Sequence, residues 1–491
     1  MEKRITCFIP SSDKESIGFT TTSLRNSGLV EYITILINED KDPVNSDVSF
    51  IRSQGFTSTA SVKKMADAAK TDYILTYSKE FQLDLGKFAL GRMIQICEDT
   101  DAGMIYSDYY ENKNNHLSPH PLIDYQDGSL RDDFNFGSVI LYKASVFREA
   151  CSRMDTEFQF AGLYDLRLKV SQNHKLVHIP EMLYTEVESD TRKSGEKLFD
   201  YVDPRNRAVQ IEMEIACTKH LKDVKAWLKP EFNKIRFDAG HFEYEASVII
   251  PVKNRVKTIS DAISSVLSQQ TRFKFNLIVV DNYSNDGTTD LIQSFAKGNN
   301  KVVHIIPERK DLGIGGCWNE GIFHEQCGKF VIQLDSDDLY INDNVITRIV
   351  EAFYSQQCAM VVGSYKMVNF NLEDIPPGLI DHKEWTPDNG RNNALRINGL
   401  GAPRAFYTPV LRSIRVPNVS YGEDYAVGLA ISRQYQIGRI FDPLYLCRRW
   451  EENSDSALDI NKMNAYNLYK DKIRTIEFLA RKQLIKSNRD N

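Results

Sequence analysis

Short runs of consecutive apolar residues recur along the chain, and segments with helical spacing separate them. Three of these runs are rich in β-branched residues and lie at residues 246–251, 275–281 and 329–335. Apolar residues that follow one another without alternation are typical of strands buried on both faces of a parallel sheet. Residues 258–267, between the first two runs, place apolar side chains at helical spacing. The pattern therefore predicts an α/β fold whose functional site lies at the carboxyl ends of the strands.

The same alternation of strands and helices occurs in the first half of the chain, where four segments match segments of the second half. In order, the pairs are residues 5–10 and 247–251, 35–38 and 278–281, 72–78 and 329–335, and 163–171 and 424–432. Four matches in the same order, with slowly drifting offsets, are hard to obtain by chance. The sequence therefore predicts two copies of one α/β fold.

These copies define the expected domain organisation. They are predicted at residues 1–190 and 244–458, with a helical linker at residues 191–243 and a helical tail at residues 459–491. Residues 206–228 are expected to form one long helix, because a proline lies shortly before the segment and another shortly after it. We therefore expect two tandem domains joined by a helical segment.

Composition narrows the class of protein without identifying it. The 491 residues are 42% hydrophobic and 26% charged, as in an average soluble globular protein. Lys and Arg number 61 against 67 Asp and Glu, a net charge of −6, so nucleic acid is not an expected partner. The apolar run near the N-terminus is very short, and we find neither a signal peptide, which needs an apolar core of roughly 7–15 residues, nor a spanning helix, which needs about 20. The eight cysteines lack metal-ligand spacing, which favours free thiols in a reducing cytosol.

Three carboxylates follow the third predicted strand of the second half, at Asp335, Asp337 and Asp338. Like charges this close repel one another, and a hard divalent cation such as Mg²⁺ or Mn²⁺ would offset the repulsion. An acidic turn that caps the helix expected near Asn342 would produce the same pattern. Taken alone, the turn leaves both interpretations open.

Four further segments accompany this turn in a defined order, at residues 251–255, 281–288, 309–319 and 421–425. Together with the Asp335-Ser336-Asp337 turn, they resemble the family 2 glycosyltransferases over about residues 245–455. This resemblance implies the GT-A fold of nucleotide-diphospho-sugar transferases, with mostly parallel sheets. It also implies a metal-dependent enzyme that takes its sugar from a nucleotide diphosphate donor.

The resemblance implies a role for individual residues. Asp335 and Asp337 occupy the family's DxD motif and are the expected ligands of Mn²⁺ or Mg²⁺, and Asp424 occupies the position of the catalytic base. A carboxylate there suits the chemistry, because an acceptor hydroxyl is too weakly acidic to attack without losing its proton. Asp424 would equally suit the first turn of a helix. The residues expected to bind the nucleotide sugar are Pro251, Asn254, Asp281, Asn319, Asp335, Ser336 and Arg449.

The sequence departs from the family pattern near its C-terminal end. The last histidine, His382, falls in a predicted loop and is not assigned as a metal ligand. Residues 447–450 (Cys-Arg-Arg-Trp) are similar to the Arg-Trp motif of processive synthases, which extrude their product through a membrane. Arg449 is expected to contact the diphosphate because guanidinium suits phosphate geometry. Ion pairs with Glu451 and Glu452 are the alternative for this arginine.

The first copy lacks the chemical groups of the second. Residues 78–80, with a lysine in the middle, stand at the DxD position, and Leu163 stands at the position of Asp424. Asn38 stands at the position of Asp281, which is expected to contact the nucleobase. The first copy is therefore predicted to be a degenerate GT-A domain that serves structure, dimerisation or acceptor binding.

The expected function is transfer of a sugar to a hydroxyl acceptor, with inversion at the anomeric carbon, in the synthesis of cell-surface or extracellular polysaccharide or glycoconjugate. UDP-sugars are the favoured donors, with GDP-mannose as an alternative, and a carbohydrate or glycolipid is the expected acceptor. The expected location is the cytoplasm, with peripheral association at the inner face of the membrane as an open alternative. The sequence also leaves a homodimer open. The alternatives are a nucleotidyltransferase and a non-catalytic carbohydrate-binding scaffold.

Overall fold

The computed structural model describes residues 4–39, 48–113, 116–187, 206–450 and 459–490. The chain divides into two compact units. The first comprises residues 1–192, 208–226 and 459–475, and the second comprises residues 193–207, 227–458 and 476–491.

The first unit is an α/β structure built around a seven-stranded sheet. Its strands are β1 (Ile5–Pro10), β2 (Val30–Asn38), β3 (Ser49–Ser53), β4 (Tyr73–Tyr77), β5 (Leu83–Leu85), β6 (Ala102–Ser107), β7 (Tyr109–Lys113), β8 (His116–His120), β9 (Val139–Lys143), β10 (Lys175–Ile179) and β11 (Tyr184–Val187). Its helices are α1 (Lys14–Asn26), α2 (Thr59–Ala68), α3 (Ala89–Thr100), α4 (Ala144–Ser152), α5 (Gly162–Asn173) and most of α6 (Arg207–Asp223). The large sheet has the order β3-β2-β1-β4-β9-β6-β10, and a four-stranded sheet has the order β5-β11-β7-β8.

The second unit contains one nine-stranded sheet. Its strands are β12 (Ala246–Val252), β13 (Phe275–Asp281), β14 (Val302–Ile305), β15 (Phe330–Gln333), β16 (Leu339–Tyr340), β17 (Met360–Val368), β18 (Asp374–Ile380), β19 (Arg404–Tyr407) and β20 (Ile437–Arg448). Its helices are α7 (Ile259–Leu267), α8 (Thr288–Gly298), α9 (Ile314–Phe323), α10 (Val345–Gln356), α11 (Gly390–Asn393), α12 (Thr408–Ile414) and α13 (Glu423–Gln434). The order is β14-β13-β12-β15-β19-β17-β20-β16, and β18 pairs with β17.

The large sheets of the two units share one topology. The path β3-β2-β1-β4-β9-β6-β10 corresponds strand by strand to β14-β13-β12-β15-β19-β17-β20. In both paths the first four strands are parallel, the fifth is antiparallel to its neighbours, and the last two are parallel to each other. Strand β12 is buried along nearly its whole length, as expected for a strand covered on both faces. The predicted α/β fold with largely parallel sheets is confirmed.

The register of the sheets corrects one predicted correspondence between the halves. Pro10 at the end of β1 pairs with the residue before Ile37, and Pro251 of β12 pairs with the residue before Asp281. Ile37, rather than Asn38, therefore corresponds to Asp281. A shift of one position matters here, because neighbouring residues of a strand point to opposite faces.

The segments expected as linker and tail are divided between the units. Residues 208–226 belong to the first unit and residues 227–243 to the second, and the long helix ends at Asp223 rather than at residue 228. In the tail, α14 (Ile460–Asp490) contributes residues up to 475 to the first unit and the rest to the second. None of the helices in the described ranges combines the length and apolar character that crossing a membrane requires.

The final third of α14 is anchored in the second unit by a buried arginine. Arg481 has no exposed surface, and its Nε donates a hydrogen bond to Glu477 Oε1 at 2.8 Å. Its Nη2 donates to Ser432 Oγ of α13 at 2.9 Å and to the carbonyl oxygen of Arg391 at 2.8 Å. Because α13 also carries Asp424, this arginine supports the helix on which the expected base lies.

Replacing Arg481 with alanine should strongly destabilise the second unit. The change removes one of the two arginines that pair with the buried Glu477 carboxylate and leaves Arg433 as its partner. It also removes the hydrogen bonds to Ser432 and to the Arg391 carbonyl oxygen, and breaking a buried pair costs up to about 3–5 kcal/mol of the free energy of unfolding. Gln483→Ala, at an exposed position of the same helix, should change stability by no more than about 0.5 kcal/mol. Denaturant unfolding of both variants tests this, and equal stability would show that α14 is not anchored by Arg481.

Candidate active site

The carboxyl ends of β12, β13 and β15 meet at one edge of the second sheet. β12 pairs in parallel with β13 on one side and β15 on the other. The segments that follow these strands begin after Val252, Asp281 and Gln333, so they emerge side by side. Pro251 lies inside β12, directly before its last residue. This edge holds most of the residues that the sequence predicts for a donor site.

Asn254 joins the first two of these segments. Its backbone N–H donates to Ser284 Oγ at 2.9 Å, and its side-chain Oδ1 accepts from the N–H of Asn285 at 2.9 Å. Its φ of 53° lies in the left-handed region, which asparagine tolerates better than most residues. In this structure the predicted ligand Asn254 therefore holds the two loops together.

Asp281 is fully buried at the end of β13. Its Oδ1 accepts from the N–H of Ser284 at 3.0 Å, and its Oδ2 accepts from Thr289 Oγ1 at 2.6 Å. Burial raises the pKa of this carboxyl, but His304, whose Nε2 lies 3.6 Å from Oδ2, and hydrogen bonds from Thr289 and Ser284 outweigh burial and lower the pKa to about 2. In this structure Asp281, the predicted nucleobase ligand, is buried and holds the loop after β13 through these hydrogen bonds. The next residue, Asn282, is partly exposed.

The acidic turn after β15 places its carboxylates in different environments. Asp335 is exposed, and Gln333 Nε2 donates to its two oxygens at 2.9 and 3.0 Å. Ser336 is buried and Asp337 is half-buried. Asp338 is 5% exposed and accepts from the N–H of Arg448 at 2.8 Å. Asp338 therefore fixes the turn to the end of β20.

The turn suits a divalent cation held partly by the protein. Burial, together with the neighbouring Asp337 and Asp335, raises the pKa of Asp338 well above its ordinary value, so negative charge is crowded here. Among the described residues, no group of three or more His, Cys, Asp and Glu side chains converges on one metal position. Mg²⁺ is commonly held by one or two carboxylates together with substrate phosphates. Asp335 and Asp337 match that donor set.

Basic and aromatic side chains surround Asp337. The Arg255 Nε lies 4.0 Å from Asp337 Oδ2, and the indole Nε1 of Trp450 donates to the same oxygen at 3.3 Å. The Arg255 guanidinium also lies 6.0 Å from the centre of the Trp450 ring, and the Lys257 ammonium lies 5.7 Å from it. Arg255 and Lys257 were not assigned from the sequence, although Arg255 ends the first motif segment.

The two arginines before Trp450 have different roles. Arg448 is buried, and its Nη1 lies 2.8 Å from Asp261 Oδ2 of α7. The half-buried Arg449 donates its backbone N–H to the carbonyl oxygen of Val368 at 2.8 Å. The alternative partners Glu451 and Glu452 lie outside the described residues. Arg448 is therefore a structural residue, and diphosphate binding by Arg449 stays a prediction.

Asp424 lies in the first turn of α13 and forms an ion pair that the sequence did not predict. Its Oδ2 lies 3.1 Å from Arg404 Nη1, and both side chains are partly exposed. Burial lowers the pKa of Arg404, but Asp424, Asp335 and Glu423 outweigh burial and raise it. The neighbouring Glu423 is buried, and burial followed by the Asp424 charge raises its pKa to about 8.

Two neighbouring glycines of the motif segment at residues 309–319, Gly315 and Gly316, lie at the start of α9. A Cβ added to Gly315 would lie 1.8 Å from the carbonyl oxygen of Pro417, so only glycine fits this close approach. Further along α9, Asn319 donates from Nδ2 to the Val416 carbonyl oxygen at 2.7 Å and accepts from the Val416 N–H at 3.0 Å. The predicted ligand Asn319 therefore fastens the loop that leads into α13.

His382 is buried beside Glu384 and Gly401. It is 1% exposed, and its Nδ1 lies 3.1 Å from Glu384 Oε1. Its ring packs against Gly401, whose φ of 96° suits glycine. The imidazole thus supports the segment that leads into β19 and Arg404.

These features define an α/β protein with an acidic turn at the carboxyl edge of its sheet and a carboxylate–arginine pair nearby. A family model described as "Glycosyl transferase family 2" matches residues 247–415. A similar protein is the putative teichuronic acid biosynthesis glycosyltransferase TuaG of Bacillus subtilis, 30% identical over 189 residues that cover 38% of this chain and 72% of the relative. The chain belongs to glycosyl transferase family 2 and is a glycosyltransferase, which decides against the nucleotidyltransferase alternative.

Two further proteins are similar to part of this chain. The UDP-Glc:alpha-D-GlcNAc-diphosphoundecaprenol beta-1,3-glucosyltransferase WfgD of Escherichia coli is 27% identical over 224 residues, covering 45% of this chain and 81% of the relative. Residues 1–349 of S. aureus TarS, solved in complex with UDP, share 21% identity and superpose with a TM-score of 0.37, covering 49% of this chain and 69% of that chain.

Replacing Gly315 with alanine should displace the loop before α13. The added methyl group collides with backbone rather than with a movable side chain, so we expect a loss of at least about 1–3 kcal/mol in the free energy of unfolding. Gly298→Ala is the matched control, because no heavy atom lies within 4 Å of its Cβ position. Thermal unfolding of both variants checks the prediction, which fails if the two melt at the same temperature.

Glu423 should make the second unit less stable as the pH rises. Its pKa is raised from the ordinary 4.5 to about 8 in the folded chain, so folding retains a proton that the unfolded chain releases. Stability is therefore lost progressively as the pH rises between these values. Glu423→Gln should remove this loss, whereas the exposed Glu351→Gln should not. Unfolding midpoints at about pH 5 and about pH 9 test this, and a pH-independent effect of Glu423→Gln would contradict it.

Proposed function

We propose that the second unit transfers a sugar from a nucleotide diphosphate donor to a hydroxyl acceptor, with inversion at the anomeric carbon. The observation that carries the proposal is the contact chain between the acidic turn and the expected base. Gln333 contacts Asp335, Arg404 contacts Gln333, and Arg404 pairs with Asp424. A donor-binding carboxylate and a candidate base are thereby held at one edge of the sheet.

The donor end of the proposed site lies at the loops after β12, β13 and β15. Asp335 and Asp337 would hold Mn²⁺ or Mg²⁺, which supplies Lewis-acid stabilisation of the negative charge on the departing diphosphate. Arg255 and Lys257 place positive charge beside Asp337, where guanidinium and ammonium groups suit phosphate oxygens. Pro251, Asn254, Asn319, Ser336 and Arg449 remain the proposed surroundings of the nucleotide sugar, with Asn254 and Asn319 acting through the loops they hold.

The acceptor end is proposed at Asp424. Its carboxylate takes the proton of the acceptor hydroxyl as the new bond forms between the acceptor oxygen and the anomeric carbon. The bond from that carbon to the diphosphate oxygen breaks, and the electron pair leaves with the nucleoside diphosphate. A single base on the side opposite the leaving group produces inversion. General base catalysis of this kind typically contributes about 10²–10⁴ in rate.

The names of the relatives support the class of product. TuaG is named for teichuronic acid biosynthesis, and WfgD for glucose transfer from UDP-Glc to a diphosphoundecaprenol-linked acceptor. We therefore propose a UDP-sugar donor, a carbohydrate or glycolipid acceptor, and a role in cell-surface polysaccharide synthesis. Cytoplasmic catalysis at the inner face of the membrane would suit a lipid-linked acceptor.

The first unit is proposed to be a non-catalytic copy. Residues 78–80 follow β4 as residues 335–337 follow β15, and they place Lys79 in the middle of the turn. Leu163 lies in the first turn of α5, where it cannot accept a proton. The shared sheet order supports the common architecture, and the altered turn supports the loss of activity.

A donor panel tests the proposed function on the full-length chain. UDP-glucose, UDP-N-acetylglucosamine, UDP-galactose and GDP-mannose are incubated with MnCl₂, and release of the nucleoside diphosphate is measured. Asp337→Ala should reduce Mn²⁺-dependent release, and Asp424→Asn should reduce it by about 10²-fold or more while nucleotide binding persists. Asp374→Asn, which affects an exposed pair with Lys366, is the matched control.

The outcomes separate the parts of the proposal. Release that does not depend on Mn²⁺ and survives Asp337→Ala would overturn the metal site. Full activity of Asp424→Asn would overturn the division of labour between the units. Absence of release or binding with every donor would favour a scaffold.

A further inference from the structure

Arg404 occupies a position from which it holds the expected base. It is the first residue of β19, and its Nη1 lies 3.1 Å from Asp424 Oδ2. The same nitrogen donates to the carbonyl oxygen of Gly401 at 2.7 Å. A guanidinium that is held by the Gly401 carbonyl oxygen can adopt few orientations. It therefore constrains the carboxylate with which it pairs.

Gln333 connects this arginine to the donor end of the site. The Arg404 backbone N–H donates to Gln333 Oε1 at 3.1 Å. The Gln333 Nε2 donates to both oxygens of Asp335, at 2.9 and 3.0 Å. Gln333 is 2% exposed, so its amide is held between these partners and shielded from water. Asp335 and Asp424 are thereby linked through two side chains.

The carboxyl groups around Arg404 also require a positive charge at its position. Asp335, Glu423 and Asp424 all interact electrostatically with Arg404, and Glu423 directly precedes Asp424 in the sequence. Without a cation between them, the charged carboxylates of Asp335 and Asp424 would repel each other, and Asp424 would move away. Arg404 offsets this repulsion and leaves Asp424 in a defined position.

The first unit provides an internal comparison. In its sheet, Thr76 of β4 pairs with Ile140 of β9, as Gln333 of β15 lies beside Arg404 of β19. In the first unit, the positions of Gln333, Asp335, Arg404 and Asp424 are occupied by Thr76, Ser78, Ile140 and Leu163, in that order. None of these side chains carries a charge, and neither Ile140 nor Leu163 can form a hydrogen bond through its side chain. The first unit therefore lacks counterparts of Arg404 and Gln333 as well as of the proposed base, Asp424.

We propose that Arg404 and Gln333 are positioning residues that hold Asp424 at a fixed distance from the donor-binding Asp335. This inference rests on the proposed function of the second unit. The pair acts on the acceptor side of the reaction and contributes little to binding of the nucleotide. Misplacement of a reacting group by about 1 Å can cost about 10²-fold in rate, so loss of the pair should lower kcat much more than it changes KM for the donor.

The test uses the full-length chain and four variants. Arg404→Lys keeps the charge but loses the planar fork, and Arg404→Gln loses the charge. Gln333→Met keeps the pair of Arg404 and Asp424 but removes the link from Arg404 to Asp335. Arg348→Lys is the matched control, because Arg348 forms an ion pair with Asp442 at 2.7 Å outside the site.

Three quantities are measured for each variant. The first is kcat and KM for nucleotide release from the nucleotide sugar that the wild-type chain turns over in the donor panel. The second is the affinity for the matching free nucleoside diphosphate with MnCl₂, measured by calorimetry. The third is the unfolding midpoint, which shows whether the variant is folded.

The expected result is a separation of rate from binding. Arg404→Gln should lower kcat by about 10²-fold, with Arg404→Lys and Gln333→Met losing less, while the donor KM and the nucleotide affinity stay within about threefold. Arg348→Lys should match the wild type. Greater activity of Arg404→Lys than of Arg404→Gln would show the contribution of charge.

Two results would overturn the positioning role. One is unchanged kcat in the folded Arg404→Lys and Gln333→Met variants. The other is a loss of activity matched by an equal loss of nucleotide affinity, which would make Arg404 a donor-binding residue. A wild-type chain that turns over no donor would overturn the proposed function itself, and the inference with it.

Discussion

Repulsion among carboxylates is the constraint on which the organisation of the second unit depends. The acidic turn carries Asp335, Asp337 and Asp338, and the start of α13 adds two further acidic residues. Buried charge is costly unless it is paired, so the surrounding structure supplies partners. The backbone N–H of Arg448 donates to Asp338 in the turn, and Arg404 pairs with Asp424. The remaining charge at the turn is what a divalent cation would neutralise.

Close packing between α9 and the loop before α13 is the second requirement of the site. Gly315 allows the backbone of α9 to approach that of Pro417. Asn319 donates a hydrogen bond to the Val416 carbonyl oxygen and accepts one from the Val416 N–H. On the other side of α13, Arg481 anchors the end of α14. Asp424 therefore lies on a helix fixed at both ends, and the proposed removal of a proton as a bond forms needs geometry of this kind.

Two units with the same sheet order differ in the groups they present at the sheet edge. The shared topology depends on buried apolar strands, which tolerate many substitutions as long as volume and pattern are kept. The chemical groups depend on a few polar positions that contribute little to the core. Apolar side chains at such positions, as at Ile140 and Leu163 of the first unit, are therefore compatible with the same sheet order. This explains how one architecture can occur with and without the carboxylates.

The order of apolar runs by itself determined the α/β class, the two halves and the acidic turn, because burial on both faces of a sheet imposes a pattern visible along the chain. The order of the motifs also determined the family. Tertiary structure alone decided what each polar group contacts. In the folded chain Asp281 is buried within the loop after β13, and Asn254 and Asn319 form hydrogen bonds that hold neighbouring loops. Arg404 lies against Asp424. The physical reason is that such partners are set by strand register and loop packing between residues far apart in sequence, which local periodicity does not encode.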